Sequence, residues 1–188
     1  MKSEKKKVLF LDRDGVINVR LIADYVKTLS EFEFLPGVLN AISKFSKEFD
    51  RIFIVTNQQG VGKGLMSEED LTVIHRKMID DIYDADGSVD SIFYCPHLKN
   101  TGCTCRKPNR GMYEKAVDMF PEVEGSDLYM AGDTMSDMAF GTNIGAVRVM
   151  IDVSKKLPSK DYDFVYSSLE ELSEDIEKVL CYNQNRGK

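Results

Sequence analysis

Two carboxylates separated by one residue, Asp12 and Asp14, lie within the stretch KVLFLDRDGVIN at positions 7–18. Val8 to Leu11 before them are apolar strand formers, so the pair is expected at the end of a buried strand, where both side chains can converge on one ligand. Gly15 lets the chain turn sharply behind them. Paired carboxylates suit magnesium and phosphoryl chemistry. Taken alone, such a pair is more often a turn residue followed by a helix cap. Three later stretches change that balance: Thr56-Asn57, the Cys95–Lys107 segment and Gly132-Asp133.

Removing a phosphate through a covalent intermediate needs a nucleophile, an acid for the leaving oxygen and positive charge on the phosphoryl oxygens. Asp12 is placed to attack phosphorus. Asp14 can protonate the departing alkoxide and then activate water. Magnesium held by Asp12, Asp133 and a backbone carbonyl at Asp14 would neutralise the charge between these acids and an anionic substrate. Thr56 offers a hydroxyl and Lys107 an ammonium to the phosphoryl oxygens. Each is ordinary by itself, since strands often end in Thr and most lysines are simply solvated; their weight comes from co-occurrence.

Cys95-x-His97 and Cys103-x-Cys105, five residues apart, supply four soft or borderline ligands from one loop. Tetrahedral zinc prefers that set, and four protein ligands leave no open position, so the ion is expected to be structural and to fix Arg106 and Lys107. Cys181 stands apart. TNQQGVGKG at 56–64 fails as a nucleotide-binding loop, because Asn57 and Gly64 occupy positions where that motif needs Gly and Ser or Thr.

These residues must be held by something, and the pattern around them alternates short apolar runs with amphipathic segments. Strands are expected at 8–11, 51–55, 89–94, 128–131 and 146–151, with a short one at 164–166. Helices are expected at 38–49, 67–84 (opened by the capping box SEED), 112–120 and 136–144, and from a Ser167–Glu170 cap to about Leu180, with a frayed tail from Asn183. The alternation predicts an α/β fold with a doubly wound parallel sheet, in which ligands gather beyond the carboxyl ends of the strands. Asp12, Asp14, Thr56, Asn57, Cys95, His97 and Asp133 all fall on that edge. The 188 residues fit a single domain, 1–188, with no segment long enough for a separate cap. A net charge of −6 argues against nucleic acid as a partner. The apolar run after MKSEKKK is too short for a signal peptide, and no stretch reaches membrane-spanning length. A cytoplasmic monomer is expected.

DRDGVIN, Thr56-Asn57, Arg106-Lys107 and GDTMSD, in that order, resemble the four signature motifs of haloacid dehalogenase-like phosphatases. Within that superfamily FEFLPGV, TNQQGVGKG, CPH and CTCRKP resemble the branch of heptose 1,7-bisphosphate 7-phosphatases, over residues 7 to 182. The resemblance implies a Rossmann-like core, Asp12 as nucleophile and magnesium ligand, Asp14 as acid/base, Asp133 as the other magnesium ligand, and Thr56 and Lys107 as phosphoryl stabilisers. It implies Arg106 as a substrate-recognition residue. Arg20, Tyr25, Asn57, Gln58 and Gln59 are expected to grip a small phosphorylated sugar. Asp137 is either an acid behind the metal or a first-turn acid complementing a helix dipole. Two departures concern the sugar: RLIADY is two residues longer than the acidic-His-Gly-Tyr turn of relatives, and Thr134 stands where many carry Lys. Histidinol-phosphate phosphatase is the enzymatic alternative. A receiver-like phospho-accepting module is the non-enzymatic one, which would have no use for an acid/base at Asp14.

Overall fold

The computed structural model describes residues 5–154 and 160–185. Six strands, β1 (Lys7–Leu11), β2 (Arg51–Asn57), β3 (Ser91–Cys95), β4 (Asp127–Gly132), β5 (Val147–Ile151) and β6 (Phe164–Tyr166), pair in parallel in the order β3-β2-β1-β4-β5-β6. Central strands buried on both faces need near-continuous apolar sequence, which is what VLFL and IFIV supply. Alternate residues feed two cores. Leu9, Leu11, Ile52 and Ile54 pack under α1 (Val38–Glu48), α3 (Glu68–Asp84), α6 (Leu169–Glu174) and α7 (Ile176–Asn185). Val8, Phe10, Phe53 and Val55 pack under α4 (Gly111–Met119) and α5 (Met135–Ile144). The single turn α2 (Gln59–Gly62) follows β2 directly.

The sheet runs outward from β1 through β2 to β3 and then returns to β4 on the other side, so its direction switches between β1 and β4. That switch opens a crevice beyond their carboxyl ends. Asp12 and Asp133 are the residues that immediately follow those two strands. β2 is longer than its apolar run: Thr56 and Asn57 continue the parallel ladder opposite Tyr94 and Cys95, so both are strand residues. Ladder pairing with a neighbour overrides the polarity that suggested an earlier end.

The capping box at Ser67 forms as expected, Ser67 Oγ accepting from the Asp70 N–H at 3.0 Å. The C-terminal cap lies one residue later than predicted, at Ser168, which accepts from the Glu171 N–H, while Glu171 reaches back to Ser167. The expected single final helix is two helices, broken at Asp175, whose carboxylate accepts from the Tyr166 hydroxyl at 2.7 Å. The second helix continues through the expected frayed region to Asn185. Part of the predicted 152–161 loop lies outside the described residues. Among the described residues no helix is long and apolar enough to cross a membrane.

Candidate active site

Asp12 is 5% exposed at the floor of the crevice, tied into the sheet by its own N–H to the Ala131 carbonyl at 2.9 Å. Its Oδ1 accepts from the Arg13 N–H and from Lys107 Nζ, both at 2.8 Å. The turn behind it requires Gly15: φ is +88°, and a Cβ there would lie 2.0 Å from Asp133 Oδ2. Asp14 stands beside Asp12 with Oδ1 held by Arg13 and Asn18 and Oδ2 by Gln58 Nε2 at 2.9 Å. Asp133 pairs with both Nε and Nη2 of Arg20, at 2.9 and 2.7 Å.

Lys107 is buried and reaches the site from the far side. Its Nζ meets Asp12, Asp137 Oδ1 at 2.5 Å and the Val55 carbonyl at 2.7 Å, which uses all three ammonium protons. Asn57 accepts from the Lys107 N–H at 3.0 Å, so it positions this lysine. Of the two roles that the sequence leaves open for Asp137, the structure forms the first-turn one and adds a contact to Lys107. Its Oδ2 closes the capping box of α5 on Thr134, and its other oxygen holds Lys107. Thr56 Oγ1 accepts from Gln58 Nε2 at 2.8 Å, which leaves the hydroxyl proton available to another acceptor. Gln58, expected against the sugar, is 1% exposed and works beneath the surface, bridging Thr56 and Asp14.

Burial pushes the Asp12 carboxyl up to about 7, with Asp137 and Asp133 adding to the rise and Lys107 opposing it. Burial also raises Asp133, against the pull of Arg20. For Asp14 burial is outweighed by the Arg13 guanidinium and by the Arg13, Asn18 and Gln58 hydrogen bonds, so its pKa is lowered. The nearest carboxylate oxygens of Asp12, Asp133 and Asp137 lie within 4.8 Å of one another. A cluster of hard oxygen donors, in which burial and neighbouring acids raise Asp12 and Asp133, fits a small divalent cation.

Arg13 and His75 were not legible as site residues. Arg13 is fully buried between Asp14 and His75 Nε2, 3.2 Å from its Nη1. An arginine can only donate, so this ring nitrogen must accept and His75 is neutral. Burial, then the Arg13 charge, lower its pKa from 6.5 to about 3. Because the folded state refuses a proton that the unfolded chain takes up, stability is full above the ordinary histidine pKa and falls as pH drops below it. Between pH 7 and about pH 4.5 this one group costs about 2–3 kcal/mol. His75→Gln keeps an acceptor for Arg13, and urea unfolding at the two pH values is expected to show the variant losing less stability on acidification by that amount.

The crevice opens into a cleft of about 880 Å³ lined by Arg20, Tyr25, Gln59, Lys63, Lys99 and Arg106 among others. Tyr25 packs on Gly60, its hydroxyl accepts from Gln59 Nε2 at 3.2 Å, and its ring carries Lys63 Nζ 5.0 Å above it. Gln59 also accepts from the Lys99 N–H, joining this wall to the cysteine loop. In that loop Cys95 Sγ lies 3.7 Å from His97 Nδ1 and 3.6 Å from Cys103 Sγ, and His97 Nδ1 lies 3.1 Å from Cys105 Sγ. These separations approximate the edges of a tetrahedron around one metal ion. Burial opposes the Cys103 thiolate, but the Arg106 N–H and the neighbouring thiols outweigh it and bring its pKa down to about 6.

A parallel sheet of this order, with an aspartate pair following the first strand, an acid following the fourth and a buried lysine between them, defines a haloacid dehalogenase-like hydrolase. A HAD-hydrolase-like family model matches residues 104–172. The D-glycero-α-D-manno-heptose-1,7-bisphosphate 7-phosphatase of Mycobacterium tuberculosis is 41% identical over 138 residues, 73% of each chain. The D-glycero-β-D-manno-heptose-1,7-bisphosphate 7-phosphatase of Escherichia coli K12 is 34% identical over 182 residues, 90% of this chain and 93% of that one. Among solved structures, the D,D-heptose 1,7-bisphosphate phosphatase of B. bronchiseptica, complexed with magnesium and phosphate, superposes with a TM-score of 0.80 at 31% identity, covering 92% of this chain and 98% of the other. The chain belongs to the heptose-1,7-bisphosphate 7-phosphatase family and is a phosphoric monoester hydrolase.

Proposed function

We propose that the chain removes the 7-phosphate of D-glycero-D-manno-heptose 1,7-bisphosphate, preferring the α anomer, through an aspartyl-phosphate on Asp12. The observation that carries the mechanism is Asp12 itself, buried at the strand switch with Lys107 2.8 Å from one oxygen and Asp14 beside it. Asp12, Asp133 and the Asp14 carbonyl would hold magnesium, which supplies positive charge to the phosphoryl oxygens. The Asp12 carboxylate attacks phosphorus and the bond to the sugar oxygen breaks. Asp14 gives that oxygen its proton. The pKa of Asp14 is lowered in the resting site, and an arriving phosphate dianion raises its proton affinity by like-charge repulsion. In the second half Asp14, now a carboxylate, takes a proton from the water that attacks the aspartyl-phosphate. Phosphate leaves and both acids are restored. The free Thr56 hydroxyl proton and the Lys107 ammonium face the developing charge.

Zinc is our assignment for Cys95, His97, Cys103 and Cys105, as a structural ion that fixes Arg106 and Lys107. Arg106, Arg20, Tyr25 and Gln59 line the cleft that would take the sugar and its remaining phosphate. The protein would work as a monomeric single domain without a cap, in the cytoplasm, where the unoxidised Cys95, Cys103 and Cys105 are at home. Support for the α anomer comes from the higher identity to the relative named for it, 41% over 138 residues against 34% over 182 for the one named for the β anomer.

Phosphate release with magnesium, measured on the α- and β-heptose bisphosphates and on histidinol phosphate, tests the reading. Expected is a kcat/KM for the α anomer about tenfold above the β, a difference of about 1.4 kcal/mol in transition-state binding, and little release from histidinol phosphate. Rapid hydrolysis of histidinol phosphate with weak activity on both sugars would overturn the substrate and leave only the phosphatase chemistry.

A further inference from the structure

The acidic pocket already holds a positive charge that belongs to the chain. Arg20 Nη2 lies 2.6 Å from the Asp14 carbonyl oxygen, 2.7 Å from Asp133 Oδ1 and 3.7 Å from Asp12 Oδ2, and Nε adds a bond of 2.9 Å to Asp133 Oδ2. These are the three residues given to magnesium above, and the inference rests on that reading. Magnesium binds its oxygens at about 2.0–2.1 Å. An ion seated among these three would lie well inside contact distance of the guanidinium nitrogen, with like charge and no room for both. Only one of the two can occupy the oxygens.

We infer that Arg20 is an internal competitor for the divalent cation: its guanidinium engages the oxygens that the ion would use and must swing away for the ion to enter. Its setting permits that movement. The side chain is 44% exposed, whereas Lys107, the other cation on Asp12, is 2% exposed and triply bonded. Arg20 sits in a loop whose next residues, Leu21, Ile22 and Ala23, line the same open cleft, with Ile22 94% exposed. Displacement therefore breaks surface contacts and leaves the core alone. The apparent metal affinity is reduced by the fraction of molecules in which Arg20 holds the pocket. Arg20 becomes free to meet substrate only after the metal has displaced it, which orders the two binding events.

Magnesium titration by calorimetry, without substrate, on protein dialysed into magnesium-free buffer reads this directly. Arg20→Gln is expected to bind magnesium at least tenfold more tightly than the parent, with a larger magnesium-induced rise in melting temperature. Arg20→Lys, whose ammonium cannot span Asp133 and the Asp14 carbonyl together, should fall between. Lys63→Gln removes a cleft charge that does not touch the three oxygens and should leave the affinity within about twofold. An unchanged or weaker affinity in Arg20→Gln overturns the inference while leaving the cation site in place, and an equal gain in Lys63→Gln overturns direct competition in favour of the general field. Absence of magnesium binding in every protein removes the cation site itself and Arg20's role with it.

Discussion

Asp12→Asn is expected to lower phosphate release by at least about 10⁴-fold, the scale seen when a covalent nucleophile is removed, without unfolding the protein. An amide of the same shape keeps an acceptor oxygen for the Arg13 N–H and Lys107 but cannot attack phosphorus. Stability is expected to hold or rise. The carboxyl at this position is pushed up to about 7 by burial and by Asp137 and Asp133, so the folded protein pays to keep it ionised at neutral pH, and a neutral side chain escapes that cost. Acid-quenched incubation with labelled substrate should trap phosphate on the parent and none on the variant. Residual turnover within about 10²-fold of the parent would transfer the nucleophile's role to another group.

The second large effect is expected from Cys103→Ser combined with Cys105→Ser. Losing a structural zinc removes binding energy that is also folding energy. A loss of about 3–5 kcal/mol, at about 2–4 °C per kcal/mol for a chain of this size, lowers the melting temperature by about 6–20 °C. Catalysis should fall as well, by about 10²-fold in kcat/KM, because Lys107 lies two residues beyond Cys105 and its Nζ has to arrive at Asp12 and Asp137 together. The Asn109 side chain also binds the Cys103 carbonyl at 2.8 Å, extending the loop's grip past the lysine. Zinc content by atomic absorption, a melting curve and steady-state rates make the test. A zinc-free variant with unchanged melting and rates would leave the cluster without the structural task assigned to it.

Much of the fold and the candidate site could be read along the chain because strand ends in a parallel sheet share one edge. Once VLFL, IFIV and LYMA are recognised as strands, Asp12, Thr56 and Asp133 must be neighbours whatever the loops do. The cysteine cluster was legible for a similar reason, since its ligands are near in sequence and spacing alone limits their geometry. Groups meeting from distant elements were not. Arg13 reads as a charged residue in a turn, and only the docking of α3 reveals that it is buried against His75. His75 sits on the same face as Leu71, Ile74 and Met78, where a helical stripe looks like packing. Gln58 follows two strand residues, and the inward turn that joins it to Thr56 and Asp14 depends on α2 starting at once. Arg20 was expected at the substrate but not on the acids, because its bonds to Asp133 span 113 residues.

The floor of the cleft is made by strand ends and its rim by two loops, residues 19–28 and the cysteine segment, joined through Tyr25, Gln59 and Lys99. This division of labour bears on evolvability. Mutations at the rim can retune which sugar is accepted while leaving the buried acids and lysine in place, provided they spare Arg20, which bonds Asp133 and the Asp14 carbonyl, and the cysteine loop that leads into Lys107. A lineage can therefore explore new substrates by drift in loop length, of which RLIADY is one instance, while its reaction stays constant. For protein engineering the same boundary marks where a graft can be cut: the rim is exchangeable between relatives as a unit, provided the contact between its two loops travels with it.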